Sequence, residues 1–93
     1  RIFGVTSFRW GTLRFDYVAP PWSHSPKNWV GIFAHGAQPT KGSYKSWAYL
    51  PKSTGSLLFS STANSTLASG QYDAWYLFDD GYTPLAGPVT INI

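Results

Sequence analysis

The sequence predicts an all-β domain built as an antiparallel β-sandwich of about seven to eight strands. Apolar side chains recur with a period of two along several short segments, and turn residues separate these segments at the spacing typical of sandwiches. Nowhere does an apolar period of 3.6 residues persist for three helical turns. A chain of 93 residues can bury one modest core, so a single domain is expected.

The first three strands are predicted from short apolar runs. Residues 2–8 form an apolar, β-prone arm. Residues 12–18 alternate apolar with charged side chains, which indicates a half-buried strand with one solvated face. A proline-rich segment, residues 19–26, breaks the strand pattern, and residues 29–34 resume it. We expect Gly31 to mark a point where a large neighbour approaches the backbone.

Two shorter strands are expected in the middle of the chain. Residues 36–42 are predicted as a loop, and residues 44–50 alternate again as a strand. A turn at residues 53–55 precedes a short strand at residues 57–61.

The last two strands are predicted on either side of a tight turn. Residues 72–79 carry large side chains on both faces, which indicates a central strand packed on each side. Asp80 and Gly81 follow as a hairpin turn in which the glycine supplies the positive φ. Residues 88–93 close the chain, and the members expected to face inward are Val89, Ile91 and Ile93.

Composition excludes several classes of protein. Charged residues make up only 12% of the chain and aromatic residues 18%, which is not the composition of a disordered segment. No apolar run approaches the roughly 20 residues needed to span a bilayer. The seven cations are dispersed and the net charge is +3, so no nucleic-acid track is expected. The chain has no cysteine, and therefore neither a disulfide framework nor a thiolate metal site.

One short motif bears on the compartment. Asn64-Ser65-Thr66 is an N-glycosylation acceptor, which has meaning only in a secretory pathway. It lies in a segment rich in serine and threonine, as expected of an exposed connection. The sequence thus favours an extracellular, secreted glycoprotein modified at Asn64, and the alternative is a polar loop that spells the triplet by chance.

The chain also resembles a known group of domains. The sequence WVGIF at residues 29–33, between a proline-rich turn and an aromatic strand at residues 46–51, is similar to the W-[IV]-G-[IV]-[FY] strand of immunoglobulin-like accessory domains. These include SKICH domains and the noncatalytic sandwiches of secreted phosphoesterases. Residues 70–87 look like their closing strands, so the resemblance covers about residues 13–93. It implies the fold, and Asn28 stands where the family commonly has aspartate, so no role of that carboxylate is carried over.

Catalytic and metal sites are not indicated. His24 and His35 are predicted on separate loops. A small hydrolase would need one of them paired with an aspartate. Ser23 and Ser25 flank His24 in the sequence, but this adjacency does not show that a serine and the histidine have catalytic geometry. Zinc binding lacks a closely spaced ligand pair. Calcium at the Asp-Asp-Gly turn competes with the simpler interpretation of a hairpin. We therefore expect no enzyme activity, no cofactor and no metal; the aspartates considered are Asp16, Asp73, Asp79 and Asp80.

Five tryptophans exceed what so small a core easily hides. Trp29 and Trp75 are predicted in the core. Trp22 and Trp47 are predicted at sheet edges or partner surfaces, and they are the residues that would form a platform for a glycan or other ligand.

The function favoured by the sequence is that of a noncatalytic structural subunit in a self-assembling, glycosylated extracellular filament. Residues 1–11 would form an arm exchanged with the next copy, and residues 12–93 the sandwich. An ordinary first strand, paired within its own sheet, is equally compatible with the pattern. The alternative function is an accessory module that binds a carbohydrate or lipid head group for a secreted phosphoesterase or glycan-active enzyme. The residues predicted to carry assembly are Ile2, Phe3, Val5 and Phe8.

Overall fold

Two antiparallel β-sheets pack face to face. The computed structural model of the chain describes residues 3–9, 12–60, 68 and 70–92. The elements of these residues are β1 (Phe3–Arg9), β2 (Thr12–Val18), a short 3₁₀ helix (Pro21–Ser23), β3 (Trp29–Ala34), β4 (Ser46–Tyr49), β5 (Thr54–Ser60), β6 (Gln71–Phe78) and β7 (Thr83–Asn92). The predicted all-β sandwich is confirmed.

The described strands form one sheet of three strands and one of four. One sheet has the order β1-β2-β5 and the other β4-β3-β6-β7, with antiparallel neighbours throughout. The chain therefore passes between the sheets after β2, after β4 and after β5, which gives the connections of a Greek key. β6 lies between two strands and is buried on both faces from Asp73 to Leu77, as its sequence predicts.

Three strands differ from the prediction by two residues or more at their start. β4 spans only Ser46–Tyr49, within the strand predicted at residues 44–50. β5 begins at Thr54, where the sequence predicts a turn, because residues 54–56 continue the ladder with β2. β7 begins at Thr83, five residues ahead of the predicted start at residue 88. Gly87 and Pro88 lie inside β7, and the register with β6 shifts there, so the strand accommodates residues that usually end one.

The turn between β6 and β7 also differs in detail. The amide of Gly81 donates to the carbonyl of Phe78 at 2.9 Å, which closes a four-residue turn. The positive φ angles belong to Asp79 (49°) and Asp80 (61°), the pattern of a type I′ turn, and not to Gly81 as predicted. Aspartate is one of the few side chains that tolerate this conformation.

The main core lies between the sheets. Phe3 of β1 stacks on Phe15 of β2, with ring centroids 5.8 Å apart, and on Tyr76 of β6 at 5.7 Å. The apolar side chains of β2 and the inward side of β3 complete it, so these strands follow the predicted alternation. The other buried members are Leu13, Tyr17, Ala19, Val30, Ile32, Leu50, Ala74 and Ile91.

A second apolar cluster covers the outer face of the four-stranded sheet. Its buried members are Trp29, Phe33, Trp75 and Leu77, with Trp47 and Tyr82 packed against them. The predictions that Trp29 and Trp75 are core residues are confirmed. This sheet is thus apolar on both faces, and the candidate site lies on its outer face.

Within the part of the chain that the structure describes, no helix is long and apolar enough to cross a bilayer.

Candidate functional site

An open cleft lies on the outer face of the four-stranded sheet, at the end where the β6–β7 turn meets β3 and β4. Its volume is about 120 Å³. It has five aromatic rings and one carboxylate in its walls. The lining residues are Trp29, Tyr44, Trp47, Tyr49, Asp80 and Tyr82.

The sheet register brings these side chains together. Tyr49 and Trp47 of β4 pair with Trp29 and Gly31 of β3. Residues two apart on one strand share a face, so all of them lie on the outer side of the sheet. Gly31 has no side chain, and an added Cβ there would lie 2.5 Å from Phe33 Cε1 and 2.8 Å from Trp29 Cζ3. The prediction that large neighbours approach Gly31 is confirmed.

The aromatic rings meet nearly at right angles. The ring of Trp29 makes an angle of 88° with Tyr82 and 82° with Tyr44, at centroid distances of 5.5 and 5.9 Å. Trp47 and Tyr49 meet at 79° and 4.9 Å. These edge-to-face contacts are favourable for aromatic quadrupoles. They make the rings walls around a space rather than one flat platform.

Hydrogen bonds hold the walls in place. Trp29 Nε1 donates to the carbonyl of Gly81 at 2.9 Å, which ties the buried indole to the β6–β7 turn. The amide of Gly42 donates to the hydroxyl of Tyr82 at 3.3 Å. The loop that carries Tyr44 ends where the amide of Lys45 donates to the carbonyl of Ile32.

Asp80 places a negative charge at the rim. The hydroxyl of Tyr49 donates to Asp80 Oδ1 at 3.1 Å. This hydrogen bond, together with burial and the charge of Asp80, raises the pKa of Tyr49 above its ordinary value. A tyrosine phenol is protonated at neutral pH even at its ordinary pKa, so Tyr49 is able to donate this hydrogen bond. Both side chains remain exposed, so a ligand can reach the carboxylate.

Asn28 fixes the position of the turn that carries Asp80. Its side chain is fully buried, donates to the carbonyl of Ser23 and accepts from the amide of Asp79, at 3.0 and 2.9 Å. The amide of Asp80 donates to the carbonyl of Lys27 at 2.9 Å. The side-chain carboxamide of Asn28 thus joins the proline-rich segment to the turn. This role needs one donor and one acceptor on the same side chain.

A polar cluster around Asp73 lies at the end of β3 that is far from the aromatic cleft. Asp73 is buried and accepts from His35 Nδ1 at 2.8 Å, from the amide of Gly36 at 2.9 Å and from the hydroxyl of Thr90 at 3.0 Å. Burial acts to raise the pKa of Asp73, but these hydrogen bonds outweigh it and the pKa is lowered. The pair of histidine and aspartate that a hydrolase would use is present, but neither residue lines the aromatic cleft.

The other residues considered as metal ligands or catalytic groups do not lie together. His24 is exposed, and its Nε2 contacts the carbonyl of Pro51 at 3.2 Å. Asp79 Oδ1 accepts from Ser25, and Asp16 lies on β2 beside Arg14. No group of three potential metal ligands occurs among the described residues.

The structure places the predicted site residues in different parts of the molecule. Trp47 lines the cleft, whereas Trp22, with 78% of its surface exposed on the 3₁₀ helix, is not among the lining residues. Phe3 lies in the core of its own chain. Ile2 and Asn64 fall outside the described residues. Val5 and Phe8 lie in β1, but their own side chains are not described.

The sequence did not single out the tyrosines, and it indicated Asp80 as a candidate for a hairpin turn and for calcium but not for this cleft. The shared face of Trp47 and Tyr49 was available as a signal, because the two are separated by one residue in a predicted strand. Tyr44, Asp80 and Tyr82 lie outside the observed strands, and no periodicity points to where their side chains meet.

Comparisons with known proteins identify no relative. No family model matches the chain, and comparison with curated proteins and with solved structures gives no match either. The resemblance to immunoglobulin-like accessory domains and SKICH domains therefore stays a prediction.

Proposed function

We propose that this chain is a noncatalytic binding module that holds a small ring or head group, from a glycan or a lipid, in the aromatic cleft. The observation that carries the proposal is the joining of five aromatic rings and one carboxylate in one accessible cleft. Aromatic walls with a few polar groups are the usual composition of a small-molecule site. The module would belong to a secreted glycoprotein, in keeping with the acceptor motif at Asn64.

The size of the cleft limits the ligand. Pockets for drug-sized molecules measure roughly 300 to 1,000 Å³. A cleft of about 120 Å³ has room for one ring or one compact head group. Such a ligand would be the end of a larger molecule, as expected for an accessory module that keeps an enzyme near its glycan or lipid substrate.

The test is calorimetric titration of the intact chain with methyl glycosides, inositol, choline and phosphocholine. Trp47→Ala removes one wall, and we expect it to weaken binding of the active ligand at least tenfold, about 1.4 kcal/mol. Trp22→Ala is the matched control, because this exposed indole is not part of the cleft. Absence of binding across the panel, or a loss confined to Trp22→Ala, would refute the proposal.

A second candidate function is assembly into an extracellular filament, in which the chain is a structural subunit and its partners are other copies. The observation that favours it is the position of β1 at the edge of its sheet, with Phe3 anchored in the core. A strand so placed makes the same contacts whether its own chain or a neighbour supplies it. Repeated exchange of the arm from copy to copy would then generate an open filament.

A further inference from the structure

The geometry of the aromatic cleft narrows the class of ligand. This step rests on the proposed function, because it assumes that the cleft is a binding site. A sugar ring presents flat faces of C–H groups, which a coplanar aromatic platform matches. Here the rings of Trp29 and Tyr82 meet at 88°, and those of Trp47 and Tyr49 at 79°. Walls at right angles suit a compact, rounded group that contacts several rings at once.

The charge of the cleft favours a cation. Aromatic rings attract a positive charge to their faces, with tryptophan the strongest, and such sites recognise alkylated ammonium groups. Of the residues that line the cleft, Asp80 is the charged one, and its carboxylate adds Coulomb attraction. Tyr49 fixes that carboxylate through its hydroxyl at 3.1 Å. A neutral ligand gains neither the cation–π attraction of the rings nor the Coulomb attraction of Asp80.

We propose that the cleft is an aromatic cage for a quaternary ammonium group of the choline type. The ammonium methyl groups would contact Trp47 and the tyrosines, with the buried Trp29 at the base of the cleft, and Asp80 would face the positive nitrogen from the rim. The volume of the cleft, about 120 Å³, suits a head group as compact as trimethylammonium. The remainder of the ligand would extend into solvent through the open side.

The experiment compares choline with 3,3-dimethyl-1-butanol, which has the same shape and no charge. Titrations followed by calorimetry or NMR are expected to show roughly tenfold tighter binding of choline, within the 2- to 30-fold range of one cation–π contact. Asp80→Asn should weaken choline binding about three- to tenfold and leave the neutral analogue unaffected. Asparagine tolerates a positive φ, so the turn is retained.

Asp16→Asn is the matched control. Asp16 lies on the three-stranded sheet, hydrogen-bonded to Arg14 and Ser56, and its neutralisation removes the same net charge. A cage predicts no effect of this substitution. Equal losses from Asp16→Asn and Asp80→Asn would mean that choline senses only the net charge, and would overturn the inference.

The outcomes separate this inference from the proposed function. Binding of methyl glycosides without choline, or equal affinity for choline and its neutral analogue, overturns the ammonium cage and leaves the cleft as a binding site. No binding of any ligand overturns both. Vesicles of phosphatidylcholine and of phosphatidylglycerol then distinguish the source: retention on the former alone indicates a lipid head group, and binding of free choline without retention on either indicates a soluble ligand.

Discussion

Gly31 is the residue on which the outer face of the sheet most depends. The rings of Phe33 and Trp29 occupy the space where a side chain would start, at 2.5 and 2.8 Å from an added Cβ. We expect Gly31→Ala to lower the free energy of unfolding by about 1–3 kcal/mol, because a full core admits no extra methyl group without strain. Urea denaturation measures this change.

The same substitution should weaken ligand binding, since Trp29 forms a wall of the cleft. Ala34→Ser, at an exposed position of β3, is the control and should change stability by no more than about 0.5 kcal/mol. A Gly31→Ala variant as stable as the wild type would show that the packing around this glycine is looser than described.

Asp73 makes stability depend on acid pH. Burial opposes its ionised form, but hydrogen bonds from Gly36, His35 and Thr90 favour that form more, so its pKa lies below the ordinary value of 3.8. A group whose pKa is lower in the folded state stabilises fully above its unfolded pKa and loses this effect as pH falls through the folded value. The contribution of Asp73 is therefore present at neutral pH and lost below about pH 4.

Asp73→Asn is expected to lower stability at neutral pH by about 1–3 kcal/mol, because the amide presents a donor to groups that also donate. The variant should then show a flatter decline in stability between neutral pH and pH 3 than the wild type. Asp16→Asn, which removes an exposed ion pair with Arg14, should have a smaller effect. Thermal melts across this pH range provide the measurement, and identical slopes for wild type and Asp73→Asn would contradict the account.

At the scale of elements, β1 decides between the two proposed functions. As an edge strand it is able to pair with β2 of its own chain or of a neighbour. If copies exchange the arm, electron microscopy should show filaments that vanish when residues 1–8 are removed, and the melting temperature should rise with protein concentration. A melting temperature independent of concentration, without filaments, would exclude the filament.

The sequence predicted strands best where alternation was clear. β2 and β3 have the predicted limits, because charged and apolar side chains alternate or a proline-rich segment marks the boundary. β5 and β7 begin earlier than predicted, since pairing with an existing neighbour overrides the turn propensity of Thr54, Gly55 and Pro88. Local sequence carries no information on which strand will be the neighbour.

At the scale of the whole molecule, the cleft arises from four separate parts of the chain: β3, β4, the loop before β4 and the β6–β7 turn. The sequence indicated that the tryptophans exceed the needs of the core, and Trp47 was among those singled out. It did not predict that Trp29 is shared between the buried cluster and the cleft, nor that Asp80 closes the rim. Both facts depend on the strand order, which brings the β6–β7 turn beside Tyr49.

The most direct test of the cleft as the binding site is a measurement of nuclear Overhauser effects between the methyl protons of bound choline and the aromatic protons of the protein. We predict contacts from these methyl groups to the rings of Trp29, Trp47 and Tyr49, and none to Trp22. Contacts confined to Trp22, or choline in excess that contacts no aromatic ring, would contradict the account.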